Sequence, residues 1–212
     1  MKSFFGYLLL FFSLQACGQS TNQTEKNDVK VGGRCEGCEA IYESPVPFEK
    51  LNWQDTLEDY YEPGPKLYVS GTVYNLDGSK PAPNVVLYFY HTDQTGIYPK
   101  KGNEKGWALR HGYLRGWVKT NEKGQYSFLT LKPASYPKST EPAHIHFIIK
   151  EPNRNEYYID DIVFDDDPFL SEAHRQRLQN KGGSGILKPE KQNGVLVARR
   201  DIVLGKNIQD YK

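Results

Sequence analysis

The stretch "LRGWVKTNEKGQYSFLTL", residues 114–131, decides the fold. Two runs rich in β-branched and aromatic residues flank Asn121-Glu122-Lys123-Gly124, so the segment reads as strand, turn, strand. Outward from it the same grammar repeats. "KLYVSGTVY" (66–74) alternates, "NLDGSKPAPN" (75–84) is dense in turn residues, and "VVLYFYH" (85–91) is a continuous apolar run expected to be buried on both faces. Downstream come "AHIHFII" (143–149), "YYIDDIVF" (157–164) and "VLVARRDIVL" (195–204). Only "LSEAHRQRLQN" (170–180) reads as helix, and "GGSG" (182–185) is a flexible break. Strands without alternating helices predict an all-β chain, a β-sandwich of about seven to nine mostly antiparallel strands with one short helix near the C-terminus.

Composition agrees. The 212 residues suffice for one domain with a real core, and 15 Tyr, 10 Phe, 19 Gly and 13 Pro favour strands and turns over a helix bundle. With 27 basic and 26 acidic residues scattered along the chain, the basic footprint of a nucleic-acid binder is missing, so nucleic acid is excluded as a partner.

Residues 1–17, "MKSFFGYLLLFFSLQAC", have the layout of a secretory signal: one Lys, an apolar run too short to span a bilayer, then small residues. Leu14-Gln15-Ala16-Cys17 resembles the bacterial lipobox, which implies cleavage before Cys17 and a lipid anchor on it. The alternative is an ordinary secretory peptide with a chance cysteine. Residues 18–33 are polar and read as a flexible tether of about 20–25 Å, placing the domain, residues 34–212, outside the cytoplasm on a bacterial cell envelope. Cys35 and Cys38 have the C-x-x-C spacing but no thioredoxin-like context, so a small structural disulfide is favoured over redox chemistry or a metal.

In "PAHIHFIIK" (142–150) His144 and His146 stand two apart on a strand and therefore share a face. Alone the pair is weak: one buried, hydrogen-bonded histidine and one solvated would look the same. Tyrosines in two Pro-bounded loops add to it, Tyr98 in "GIYP" after the buried strand and Tyr136 in "ASYPK" before the histidines.

Taken together, "LYVSGTVYNLDGSKPAPNVVLYFYHTDQTGIY", "LRGWVKTNEKGQYSFLTLKPASYP", "PAHIHF" and "VFDDDP" run in the order of the intradiol ring-cleavage dioxygenases, which the chain resembles from about Leu67 to Pro168. The resemblance implies a non-haem ferric ion, Fe(3+), held by Tyr98, Tyr136, His144 and His146. It implies a catechol and dioxygen as substrates, and a muconate-type diacid as product. Tyr98 would be the ligand displaced by the catecholate and would accept a proton from it. Ferric iron is a hard acid able to bind phenolate at neutral pH, although free tyrosine has a pKa of about 10.

Three departures from the cytoplasmic members stand out. Glu141 occupies the place of an arginine before the Pro-Ala-His-Ile-His segment, the connection from Tyr136 to His144 is short, and Asp160 and Asp161 stand where a glutamine is common. The secreted, single-domain branch keeps that connection short and often has a basic residue after the tyrosine and proline. Lys138 occupies that position and is a candidate catalytic cation, with a solvated loop lysine as the alternative. Arg115 in "LRGW" is a second candidate, placed to attract an anionic ring substituent unless it pairs with a surface carboxylate. His91, His111 and His174 are isolated, with surface or hydrogen-bonding roles expected for His91 and His174. "VFDDDP" lacks EF-hand spacing and is expected to cap the following helix. Two other readings stay open: a non-catalytic binding module, and a histidine-based site for zinc or copper.

Overall fold

The computed structural model describes Met1 and residues 28–212. Apart from Met1, the expected leader with its Cys17, and the tether up to residue 27, lie outside the described residues. The strands are β1 (Gln54–Thr56), β2 (Lys66–Tyr74), β3 (Val86–His91), β4 (Arg115–Lys119), β5 (Gln125–Leu131) and β6 (His144–Lys150). They continue with β7 (Tyr157–Phe164), β8 (Ile186–Leu187), β9 (Glu190–Gln192), β10 (Val195–Arg199) and β11 (Ile202–Val203). Helices α1 (Ala108–His111) and α2 (Glu172–Arg177) are short.

The strands form two sheets, ordered β1-β5-β2-β10-β9 with β11 also on β2, and β4-β3-β6-β7-β8. Strands β2 to β7 pair antiparallel, while β10 and the short β1, β8 and β11 join in parallel. There are more strands than expected because β1, β8, β9 and β11, two or three residues each, are too short to carry a period. The Asn121–Gly124 turn connects β4 in one sheet to β5 in the other. Asn121 Oδ1 accepts from the amides of Lys123 (2.9 Å) and Gln125 (3.0 Å), and Gly124 adopts φ 68°. The chain thus changes layers within a few residues.

Between the sheets lie Phe89, Phe128 and Phe147, with Phe89 and Phe128 stacked at 4.1 Å and Phe89 and Phe147 at 5.8 Å. All three are buried, and each contributes about 2–3 kcal/mol of transfer free energy. The opposite side of β3, carrying Val86, Tyr88 and Tyr90, is also covered. The 3-10 helix Cys38–Glu43 lays Cys38, Ala40 and Ile41 on it, and Trp117 Nε1 donates to the Ile41 carbonyl at 2.8 Å. That cover explains why residues 86–90 carry apolar and aromatic side chains on both faces.

Three expectations need correction. The end of the tether is not free: Val31 is buried in the core, its amide donates to Asn155 Oδ1 (2.7 Å), and Asp28 pairs with Lys150 (2.8 Å). The run 195–204 is two strands, because Arg200 is buried and its carbonyl passes over Gly71, where a Cβ would come within 1.8 Å. The aspartates of "VFDDDP" do not cap α2; Ser171 does, accepting from the His174 amide at 3.3 Å. Asp167 Oδ2 instead accepts from the Ala143 amide (3.0 Å), tying down the approach to the histidine strand.

Candidate metal centre

Tyr90 lies opposite His146 in the register of β3 and β6, so His144 and His146 share the outer face of their sheet with Tyr90, not the interior. Here β7 carries a β-bulge: Ile145 faces Ile162 and Phe147 faces Ile159, leaving Asp160 and Asp161 together opposite His146. The extra residue reverses the alternation and turns Asp161 toward His146. Asp161 Oδ2 stands 3.0 Å from His146 Nδ1, while Asp160 turns aside to accept from the Asn180 amide at 2.6 Å.

The tyrosine loops are braced against each other. Thr92 Oγ1 donates to the Ala134 carbonyl (2.7 Å), and the Ala134 amide donates to the Asp93 carbonyl (3.2 Å). Gly96, at φ 77°, lies so near the other loop that a Cβ would meet the Ser135 carbonyl oxygen at 2.0 Å, so no larger residue fits. Beneath them, buried His91 crosses the sandwich: its Nε2 is 2.7 Å from Thr130 Oγ1, which bonds Asp59 at 2.9 Å. His91 thus has the hydrogen-bonding role expected of it.

These constraints bring four atoms into a ring. Tyr98 Oη is 2.6 Å from Tyr136 Oη and 2.9 Å from His146 Nε2; Tyr136 Oη is 3.0 Å from His144 Nε2; the two Nε2 atoms are 3.1 Å apart. Donors bound about 2.0–2.2 Å from one metal ion stand roughly 2.8–3.5 Å from each other, so three of these separations match a shared coordination sphere and the fourth is slightly tighter. The far nitrogens fix the tautomers. His144 Nδ1–H donates to the Pro142 carbonyl (2.7 Å) and His146 Nδ1–H to Asp161, leaving both Nε2 lone pairs directed at the ring.

Histidines 144 and 146 with Asp161 also form a cluster able to hold a metal. Asp161 meets the nitrogen facing away from the tyrosines, which makes it the orienting partner of His146. Burial and the mutual hydrogen bond push the Tyr98 phenol well above its usual range. Burial raises Tyr136 as well. Burial, and then the neighbouring His146, hold His144 down. Burial alone would raise Asp161, but His146 outweighs it and holds the carboxylate low. The site therefore keeps two neutral phenols and a neutral imidazole ready for a cation strong enough to displace the phenolic protons into solvent.

Of the other residues singled out in the sequence, Arg115 donates to Glu43 Oε2 (2.6 Å) and stacks 5.2 Å over Trp117, lining a neighbouring cavity. Lys138 is exposed at φ 59° and has no hydrogen bond or ion pair among the described residues. Glu141 turns toward α2, 3.6 Å from His174 Nε2. Sequence reasoning missed the wall of a cavity of about 310 Å³ facing the tyrosines, formed by Glu36, Tyr90, Trp107, Arg110 and His111. His111 stacks on Tyr90 at 3.8 Å, Tyr90 on His146 at 4.5 Å, and His111 Nδ1 meets Tyr88 Oη at 2.8 Å. Cys35 and Cys38 are joined, with Cα atoms 5.7 Å apart.

The chain is thus a two-sheet β-sandwich that brings two loop tyrosines and an H-x-H strand together on the outer face of one sheet. The family model described as Dioxygenase matches residues 49–182, and the chain belongs to the intradiol ring-cleavage dioxygenase family. It is 29% identical over 130 residues to the protocatechuate 3,4-dioxygenase beta chain of Burkholderia cepacia, covering 54% of this chain and 55% of that one. It is 28% identical over 131 residues to catechol 1,2-dioxygenase 2 of Acinetobacter lwoffii, covering 54% and 45%. The chain thus spans about half the length of these curated relatives. Among solved structures, the dioxygenase domain of a dioxygenase carbohydrate-binding protein fusion from Streptomyces sp. SirexAA-E superposes with a TM-score of 0.56 at 23% identity, covering 76% of this chain and 94% of that one. Catechol 1,2-dioxygenase from Acinetobacter sp. ADP1 gives 0.56 at 20% identity, covering 72% and 57%. These likenesses establish the sandwich fold.

Proposed function

We propose that the chain is a non-haem ferric intradiol dioxygenase that cleaves a catechol between its two hydroxylated carbons, incorporating both atoms of dioxygen to give a muconate-type diacid. The observation that carries the reading is the ring of Tyr98, Tyr136, His144 and His146 donor atoms, with sides of 2.6–3.1 Å. Two phenolates and two neutral imidazoles suit a hard trivalent ion better than zinc or copper(I), which favour softer ligand sets. When bound, ferric iron would supply Lewis-acid activation of the catecholate toward dioxygen.

The protein's own part is positioning and proton handling. Tyr98 sits between Tyr136 and His146, facing the cavity, so its Oη can take the proton that leaves a catechol hydroxyl. Tyr136 and His144 hold the far side, and Asp161 keeps His146 in its ligating tautomer. Tyr90 and His111 stack behind the cavity and keep water from that side.

Oxygen uptake by the iron-loaded protein with neutral, anionic and cationic catechols tests the reading. One dioxygen consumed per catechol, with a ring-opened diacid as product, supports it. An iron-loaded protein that consumes none with any of them would favour the non-catalytic binding module. Attachment to a bacterial envelope through lipidated Cys17 is part of the proposal, and mass spectrometry of the N-terminal peptide tests it.

A further inference from the structure

The cavity wall opposite the tyrosines combines Tyr90, Trp107, Arg110 and His111, which fall within the family match at 49–182, with Glu36, which lies N-terminal to it. The Cys35–Cys38 disulfide closes a ring of four residues, and Gly37, at φ 84°, seats it on an aromatic pair: a Cβ there would lie 3.2 Å from Trp107 and 3.3 Å from His111 Nε2. Glu36 projects from this ring into the cavity shared with Tyr98, Tyr136 and His146. Its Oε1 accepts from Arg110 Nη1 at 2.6 Å, and the guanidinium lies 5.6 Å over the Trp107 ring. Arg34 lines the adjoining cavity on the other side of Glu36.

The two cavities together carry Arg34 and Arg110 against Glu36 and Asp161, so their formal charges balance, and a preference for an anion rests on the unused donors of Arg110 rather than on net charge. Among the described residues Arg110 Nε and Nη2 make no hydrogen bond, so the side chain keeps spare donors for a second carboxylate. A guanidinium offers such a group paired, parallel N–H bonds. A cavity of about 150 Å³ holds a benzene ring. The 310 Å³ here leaves room for a ring against the tyrosines and a side chain reaching the mouth.

We propose that the Glu36–Arg110 pair is a charge-selective wall, which makes the site prefer catechols whose side chain ends in a carboxylate over neutral or cationic ones. The inference rests on the ring position of the preceding section. Glu36 tempers the preference by occupying one donor and repelling the incoming anion; Arg110 creates it.

The test is equilibrium binding to the iron-loaded protein under argon, read by quenching of tryptophan fluorescence, since Trp107 lines the cavity. The probes are dihydrocaffeate, ethylcatechol and dopamine, which carry negative, zero and positive side chains. Dihydrocaffeate should bind about fivefold more tightly than ethylcatechol, and dopamine more weakly than either. Arg110→Gln should erase the ratio of anion to neutral binding, Glu36→Gln should widen it, and added salt should shrink it in the wild type. A wild type without the anion preference, or an Arg110→Gln variant that keeps it, would overturn the proposal. Failure of the dioxygenase reading looks different: all three probes would bind with this charge order, but no oxygen would be consumed when air is admitted.

Discussion

Replacing Asp161 by alanine removes the carboxylate 3.0 Å from His146 Nδ1 and leaves all four proposed ligand atoms in place. The imidazole then loses the acceptor that selects its tautomer and ring orientation. A hydrogen bond to a charged group contributes about 1.5–3 kcal/mol when buried. The two side chains keep 25% and 35% exposure, so solvent screens part of that, and about 1.5 kcal/mol remains. This corresponds to roughly tenfold weaker ferric binding, at the low end of what outer partners of metal-bound histidines contribute. Asp161→Asn keeps an oxygen able to accept from Nδ1–H and should lose only about threefold. The assay is competition for ferric ion against a chelator of known affinity, with the melting temperature as the control for folding. An Asp161→Ala protein that binds iron as tightly as the wild type would refute the orienting role.

Three more outcomes follow from the same geometry. Burial lowers the pKa of His111 from 6.5 to about 4, with the charges of His146, Arg115 and Arg110 acting in the same direction. Between these values the unfolded chain holds the extra proton, so the metal-free protein should lose about 3 kcal/mol of stability as pH falls from about 6.5 to 4, and His111→Phe should flatten that slope in urea titrations. Ferric binding should release close to two phenolic protons, from Tyr98 and Tyr136, so apparent affinity rises with pH; calorimetry in buffers of different ionisation enthalpy counts them. Phe147→Ala, at the centre of the stacked phenylalanines, should cost about 3–5 kcal/mol by denaturant unfolding.

Much of this architecture was legible in the chain. Residues 66–74 alternate and coincide with β2, while 157–164 coincides with β7 through its aromatic and β-branched residues in spite of the bulge at Asp160 and Asp161. The histidine pair could be placed on one face by strand periodicity alone, and the tyrosines entered through family resemblance. What stayed hidden depended on register. No local pattern shows that a bulge turns Asp161 but not Asp160 toward His146, nor that Tyr90 lies opposite His146. Nor does the run 195–204, read as one strand, show that Arg200 is buried beside Phe147, its guanidinium 5.0 Å from the ring. Arg115 is one of two candidate cations in the sequence, with pairing to a carboxylate as its alternative, and it is the alternative that holds, through Glu43; the cavity takes Arg110 from a four-residue helix with no periodic signal. The disulfide ring could be anticipated from C-x-x-C spacing; its place over the cavity could not.

The most direct measurement is the visible spectrum and iron content of the purified protein beside Tyr98→Phe and Tyr136→Phe. A coloured wild type with a tyrosinate-to-iron absorption band, one iron per chain, and loss of most of the band in Tyr136→Phe with a shifted, weaker band in Tyr98→Phe is the predicted result. Full colour and iron in both variants, or a wild type that binds iron without colour, would contradict the assignment of these two phenols to the metal.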